Sequence, residues 1–86
     1  MSGGEIKLKL GDEVRQRMVE RHISENEVRH VVQNAESSGQ KAYQPDASRY
    51  LAMLRIGNAT FYVEYSIEDD MYAVITTYAH KTEING

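Results

Sequence analysis

The chain has no cysteine, which excludes disulfide bonds, thiolate nucleophiles and cysteine-ligated metal sites. It also has no excess of basic residues, because 13 acidic residues stand against 10 lysines and arginines. Nucleic-acid-binding domains usually carry a basic footprint, so we do not expect a nucleic-acid partner. No run reaches the roughly eighteen apolar residues of a membrane helix, and residues 1–4 lead into alternating charge rather than an apolar signal core. We therefore expect a cytoplasmic protein with no membrane partner.

The length predicts a single domain over residues 1–86. A chain this short buries only about 60–65 % of the surface that its unfolded form exposes, so two separate cores would each be too small. Hydrophobic residues make up 41 % of the sequence, enough for one modest core. We expect the termini, near residues 1–4 and 81–86, to be frayed.

The N-terminal part predicts an extended segment followed by a helix. Residues 5–10 alternate between polar and apolar side chains, which indicates either a short edge strand or an extended lead-in. Asp12 is a good acceptor for the amides that follow it, so we expect it to be an N-cap. The helix is expected over residues 13–21, with Val14 and Met18 facing the core.

A second helix has a strong start signal. Ser24 and Glu27 have the spacing of a capping box, and Ile23 and Val28 have the spacing of a hydrophobic staple. Gly39 suits the left-handed position that ends such a helix. Four apolar residues at helical spacing form its predicted buried stripe: Val28, Val31, Val32 and Ala35.

The remainder predicts antiparallel strands, expected over residues 40–44, 49–56, 60–67 and 71–79. Gly57-Asn58 suits a two-residue hairpin loop. Counting outward from this loop gives three pairs on the core face: Tyr50 with Tyr65, Ala52 with Val63, and Leu54 with Phe61. The predicted fold is α+β, with two N-terminal helices packed on one face of a three- to four-stranded antiparallel sheet.

The same register places three further pairs on the outer face, the sheet face opposite the helices: Met53 with Tyr62, Leu51 with Glu64, and Arg55 with Thr60. The register of the last strand stays open. One choice turns Tyr72, Val74 and Tyr78 outward, and the other turns Ala73 and Ile75 outward. Because monomers seldom expose large apolar patches, we expect a protein partner or a second copy to bind through Leu51, Met53 and Tyr62. The alternative is that Ile6, Leu8 and Leu10, or the C-terminal tail, cover this face.

Four side chains are candidates for a binding or catalytic role. Arg17 and Arg21 are one helical turn apart, as in an anion clamp, or they pair with acids such as Glu20 and Glu25 and cover the core edge. Tyr78 and His80 are two residues apart on the last strand and form the one spot that resembles a general acid–base site.

The remaining histidines give no metal signal, because no pair has the spacing of a helical zinc motif. His22 lies in the joint between the helices, where histidine tolerates a left-handed conformation better than most residues. We expect no metal and no cofactor.

The chain resembles a family of small bacterial domains, domain of unknown function 4258. Its opening pattern is matched by seven residues: Arg17, Met18, Arg21, Ile23, Ser24, Glu27 and Val28. Residues 74–78 resemble the family's closing V-x-T-x-Y segment. A family histidine aligns with Glu13 and a joint glycine with His22, so the chain departs from the pattern at both. The family is distantly similar to the toxin ribonucleases of toxin–antitoxin pairs, which cleave RNA with basic and aromatic side chains on the sheet.

The sequence favours a non-catalytic accessory or protein-interaction module. The alternative is a toxin-like ribonuclease that uses Arg17, Arg21, Tyr78 and His80. The acidic balance of the chain and the missing family histidine both count against that alternative.

Overall fold

The computed structural model describes residues 6–81, so residues 1–5 and 82–86, and with them most of the predicted frayed ends, lie outside it. Two helices and five strands follow one another along these residues: β1 (Lys7–Lys9), α1 (Asp12–Glu20), α2 (Glu25–Ser38), β2 (Lys41–Gln44), β3 (Arg49–Ile56), β4 (Ala59–Glu68) and β5 (Met71–Lys81). The strands form one sheet in the order β1-β5-β4-β3-β2. The domain is therefore α+β, and Lys81 still belongs to its last strand.

The sheet differs from the prediction in size and in strand direction. It has five strands rather than three or four, because residues 7–9 form an edge strand. This strand runs parallel to β5, with Leu8 opposite Tyr72, so the sheet is mixed rather than antiparallel. This strand has only three residues, and its partner lies more than sixty residues away in the chain. The local sequence therefore could not predict which strand it pairs with.

The joint between the helices is a tight reversal built from backbone hydrogen bonds. The amide of Ile23 donates to the Met18 carbonyl (2.8 Å), and the amide of His22 donates to the Val19 carbonyl (3.2 Å). His22 has a φ of 58°, in the left-handed region that histidine tolerates better than most residues. This is a Schellman ending of α1, and its usual apolar contact is supplied by Met18 and Ile23, both 5 % exposed.

Helix α2 begins and ends as predicted. The Ser24 hydroxyl accepts from the Glu27 amide (3.2 Å), and the Glu27 carboxylate accepts from the Ser24 amide (2.9 Å). Gly39 ends the helix with a φ of 77°. The predicted stripe is buried over its whole length: Val28, Val31, Val32 and Ala35.

Helix α1 begins one residue earlier than predicted. Its N-cap is Gly11, which makes no side-chain cap bond, so the assignment of Asp12 as N-cap is wrong. Asp12 is instead the first helical residue, where its negative charge favours the helix N-terminus. Met18 is buried, as predicted, and Val19 faces solvent.

The hairpin of β3 and β4 has the predicted register in all six pairs. Gly57 has a φ of 66°, and Asn58 is not among the residues with positive φ, which matches a type II′ turn. Ala52, Val63 and Tyr65 are fully buried on the core face, whereas Met53 is exposed on the outer face. The turn therefore determines which side chains reach the outer face.

A bulge in β5 explains why its register was ambiguous. Tyr65 lies opposite Val74, but the adjacent Glu64 lies opposite Thr76, so Ile75 is an extra residue. The bulge changes the alternation, so that Val74 and Thr77 both face the core. Both single-register predictions are therefore wrong: Tyr72 and Val74 face inward, whereas Ile75 and Tyr78 face outward.

The helices cover one face of the sheet. Helix α2 packs on β3 and β4, and α1 packs beside β5. Ile6, Leu8 and Leu10 pack against the core, so the N-terminal segment extends the sheet instead of covering the outer face. Within residues 6–81 no element lies over that face. None of the helices in this range is long and apolar enough to cross a membrane.

Candidate functional site

Six side chains on the three long strands share the outer face, and we call them the outer patch: Leu51, Met53, Tyr62, Ile75, Tyr78 and His80. Met53 is 54 % exposed and Ile75 is 40 % exposed, although methionine and isoleucine are among the residues most often buried in protein cores. The structure thus brings the three predicted interface residues, Leu51, Met53 and Tyr62, onto one face. It adds three residues from β5, the strand whose register the sequence left open.

The aromatic half of the outer patch is ordered by mutual contacts. Tyr62 and Tyr78 lie opposite each other on β4 and β5, and their rings stack with centroids 4.9 Å apart and planes 15° apart. The His80 ring meets both edge-on, at 5.7 Å from Tyr62 and 5.9 Å from Tyr78. Such contacts hold the rings in fixed positions before any partner binds.

The outer face is more basic than the chain as a whole. By strand alternation its strand positions carry four cations and two acids: Lys7, Lys9, Arg49, Arg55, Glu64 and Glu68. Both acids are paired, since Arg49 Nη1 lies 2.9 Å from Glu64 Oε1 and Lys9 Nζ lies 3.4 Å from Glu68 Oε1. Arg55 and Lys7 leave the face with a net positive charge on a chain whose formal charge is −3.

A polar network fixes the opposite side of the same strands to α2. The Tyr65 hydroxyl donates to Glu36 Oε2 (2.6 Å), and Lys41 Nζ lies 2.7 Å from the same oxygen. Burial alone raises the pKa of Glu36, but the hydrogen bonds from Lys41 and Tyr65 outweigh it, so this pKa lies below its usual value. Burial and the Glu36 carboxylate together raise the pKa of Tyr65 far above its usual value. No local pattern in the sequence predicted this network, because its members are up to 29 residues apart.

The arginines do not join the Tyr78–His80 pair on the outer face. Arg21 Nη1 donates to the Thr77 carbonyl (2.7 Å), at a part of β5 that β1 does not pair. The Arg17 side chain is exposed and has no hydrogen-bond partner among residues 6–81. Neither arginine pairs with Glu20 or Glu25; Glu25 binds Arg15 and Arg29 instead. Tyr78 and His80 lie on the outer face, away from the helices.

Metal-binding chemistry has no support in this part of the chain. Across residues 6–81 no three histidine, aspartate or glutamate side chains come together in a way that could hold a metal ion. His80 has two tyrosines as its ring neighbours, and neither is a usual metal ligand.

Comparisons with known proteins agree with the sequence pattern. A family model described as domain of unknown function (DUF4258) matches residues 10–79, which include both helices and most of the sheet. A search of curated proteins and a search of solved structures found no match. The matched segment covers far more than half of the chain, so the protein belongs to the DUF4258 family.

Proposed function

We propose that this protein is a non-catalytic interaction module whose outer patch binds a partner protein segment that combines apolar and acidic residues. One observation carries the proposal: Met53 and Ile75 are 54 % and 40 % exposed beside a preordered tyrosine stack, and no element of residues 6–81 covers them. Apolar surfaces of this kind, rimmed by charge, are typical of protein-binding sites.

The charge of the outer face argues for an acidic partner rather than a second copy. Two copies joined through this face would place two net positive surfaces against each other, and like charges across an interface are unfavourable. An acidic segment instead finds complementary charge at the rim and apolar contacts at the centre. The partner is therefore expected to place acids around a small apolar group.

The arrangement of the rings argues for protein rather than RNA. Tyr62 and Tyr78 stack on each other, so the ring surfaces that face each other are closed to a base. Met53 and Ile75 offer no flat surface for stacking, but they suit apolar side chains of a protein. The acidic balance of the whole chain also disfavours a long, uniformly charged polyanion such as RNA, whereas a short segment with a few acids meets only the net positive outer face.

A displayed random-peptide library tests this proposal, because selection from such a library does not require an identified partner. The library is selected on the wild-type protein alone, and the enriched peptides are then tested on Met53→Glu. We expect the enriched peptides to combine apolar residues with aspartate or glutamate. Each selected peptide should bind Met53→Glu at least about tenfold more weakly, the loss expected at the centre of an interface. Its binding should also weaken as salt is raised.

Val19→Glu is the matched control, because Val19 is an apolar residue on α1 that is 74 % exposed and remote from the outer patch. This variant should bind the peptides as the wild type does. Both substitutions are at exposed positions and should change the free energy of unfolding by less than about 0.5 kcal/mol. Equal binding by Met53→Glu, or enriched peptides without acids, would contradict the proposal. Sedimentation that shows a wild-type dimer lost in Met53→Glu would identify a second copy instead.

Ribonuclease activity of the toxin type is a second candidate, favoured by one observation. His80 contacts the rings of Tyr62 and Tyr78 on an open, net positive face, where a base and an acid for RNA cleavage are close together. Incubation of the purified protein with RNA tests it. Cleavage that is lost in His80→Ala and kept in Arg17→Ala would support the nuclease. RNA that stays intact would eliminate it.

A further inference from the structure

A cleft of about 460 Å³ opens on the helix side of the sheet, at the end where the β3–β4 turn meets the joint between the helices. Its floor is apolar and comes from the core face of the strands, with Ile56, Phe61 and Ala79. Ile23 forms the wall on the helix side. The volume falls in the lower part of the range of about 300–1,000 Å³ that small-molecule sites occupy.

Two cations flank this apolar floor. Arg21 lies at the joint, and Lys81 projects from the end of β5 on the same face as Ala79. Five lysines and arginines have no acidic partner within 4.0 Å among residues 6–81: Lys7, Arg17, Arg21, Arg55 and Lys81. Two of these five line the same cleft.

The other polar groups of the cleft are already engaged or neutral. The carboxylate of Glu27 also lines the cleft, but its Oε1 accepts the Ser24 amide in the capping box. Asn58 carries no charge. Arg21 uses one of its five guanidinium donors on the Thr77 carbonyl (2.7 Å), and this bond fixes the side chain at the edge of β5. The net charge of the lining is positive.

We infer that this cleft is a binding site for a small organic anion, a carboxylate or a phosphate ester attached to a compact apolar body. The anionic group lies between Arg21 and Lys81, where an arginine fork offers paired donors to two oxygens. The apolar body lies against Phe61 and Ala79. This site is independent of the outer patch, because the two lie on opposite faces of the sheet.

Titration of the ¹⁵N-labelled protein with three probes of similar shape tests the inference: benzoate, phenyl phosphate and benzyl alcohol. Benzoate or phenyl phosphate should cause saturable shifts of the amide resonances of Ile23, Phe61 and Ala79. The probe that binds with the higher affinity identifies the anionic group as a carboxylate or a phosphate. Benzyl alcohol should cause none. Absence of saturable shifts with both anions, or equal binding of the neutral alcohol, would overturn the inference.

Arginine variants one helical turn apart make the test specific. Arg21→Gln should weaken binding of the better anion about tenfold or more, as expected for one charge-assisted hydrogen bond. Arg17→Gln is the matched control and should bind normally. Lys81 is exposed at a strand end, so Lys81→Gln should fold normally and also weaken binding; this variant decides the outcome if Arg21→Gln does not fold. Unchanged affinity in Lys81→Gln and in folded Arg21→Gln would refute the site.

Discussion

Replacing Tyr65 by phenylalanine removes one hydrogen-bond donor from the core and keeps the shape of the ring. The ring is fully buried, and its hydroxyl donates to Glu36 at 2.6 Å. A hydrogen bond to a charged group contributes about 1.5–3 kcal/mol. Because the Glu36 side chain is 23 % exposed and keeps its bond to Lys41, water compensates in part. We expect Tyr65→Phe to lower the free energy of unfolding by about 1–2 kcal/mol.

Urea unfolding at two pH values measures this effect. For a domain of this size the midpoint should fall by about 1 M urea at pH 7. The pKa of Glu36 is lowered in the folded state, so its contribution to stability is present above its unfolded pKa and is lost as the pH falls through the folded pKa. The difference between wild type and Tyr65→Phe should therefore shrink between pH 7 and pH 3.

Tyr43→Phe is the control, because Tyr43 is 54 % exposed and its hydroxyl makes no hydrogen bond within residues 6–81. It should leave the midpoint unchanged at both pH values. If Tyr65→Phe is as stable as the wild type at pH 7, or if the difference grows at pH 3, the Glu36 carboxylate is not the acceptor that stabilises this side of the sheet.

Five further variants, in three sets, test the local structure, each by urea unfolding. Ser24→Ala and Glu27→Ala should each cost about 0.5–2 kcal/mol, because each breaks the capping box, and two unchanged midpoints would contradict it. Deletion of Ile75 should change the free energy of unfolding by about 1 kcal/mol or less, because it restores regular alternation in β5. Deletion of Tyr78 is the contrast, because it turns Ala79 from the core face to the outer face and should unfold the domain. His22→Gly should stabilise by about 0.5–1 kcal/mol, because His22 has a φ of 58°; a loss would show that the histidine side chain contributes more than the backbone strain costs.

Local signals predicted the parts of the fold that depend on neighbours in sequence. Ser24 and Glu27 are three residues apart, and they form the capping box that their spacing predicted at the start of α2. The loop at residues 57–58 determined the full register of β3 and β4, because a two-residue turn leaves no freedom in the pairing. The exposure of Met53 followed from that register. All of these features follow from residues that lie close together in the chain.

The features that sequence missed depend on distant contacts. Strand β1 pairs with β5 across most of the chain, and alternation in residues 5–10 says nothing about its partner. Both faces of β5 carry apolar side chains, and Ile75 is an extra residue that forms a bulge in this strand. A register with strict alternation therefore could not assign its side chains to the two faces. The stacking of Tyr78 on Tyr62, and with it half of the outer patch, follows from that bulge. Glu36 and Tyr65 meet because α2 lies across β4.

The most direct test of the proposed interaction module is to map where a selected acidic, apolar peptide binds. The methyl groups of Met53 and Ile75 and the ring protons of Tyr62 and Tyr78 report on the outer patch, and the amides of Ile23 and Phe61 report on the cleft across the sheet. We predict that the peptide shifts the first set of resonances and leaves the second unchanged. Shifts confined to the second set, or resonances of the outer patch that do not move at saturation, would contradict the proposal that the outer patch is the protein-binding surface.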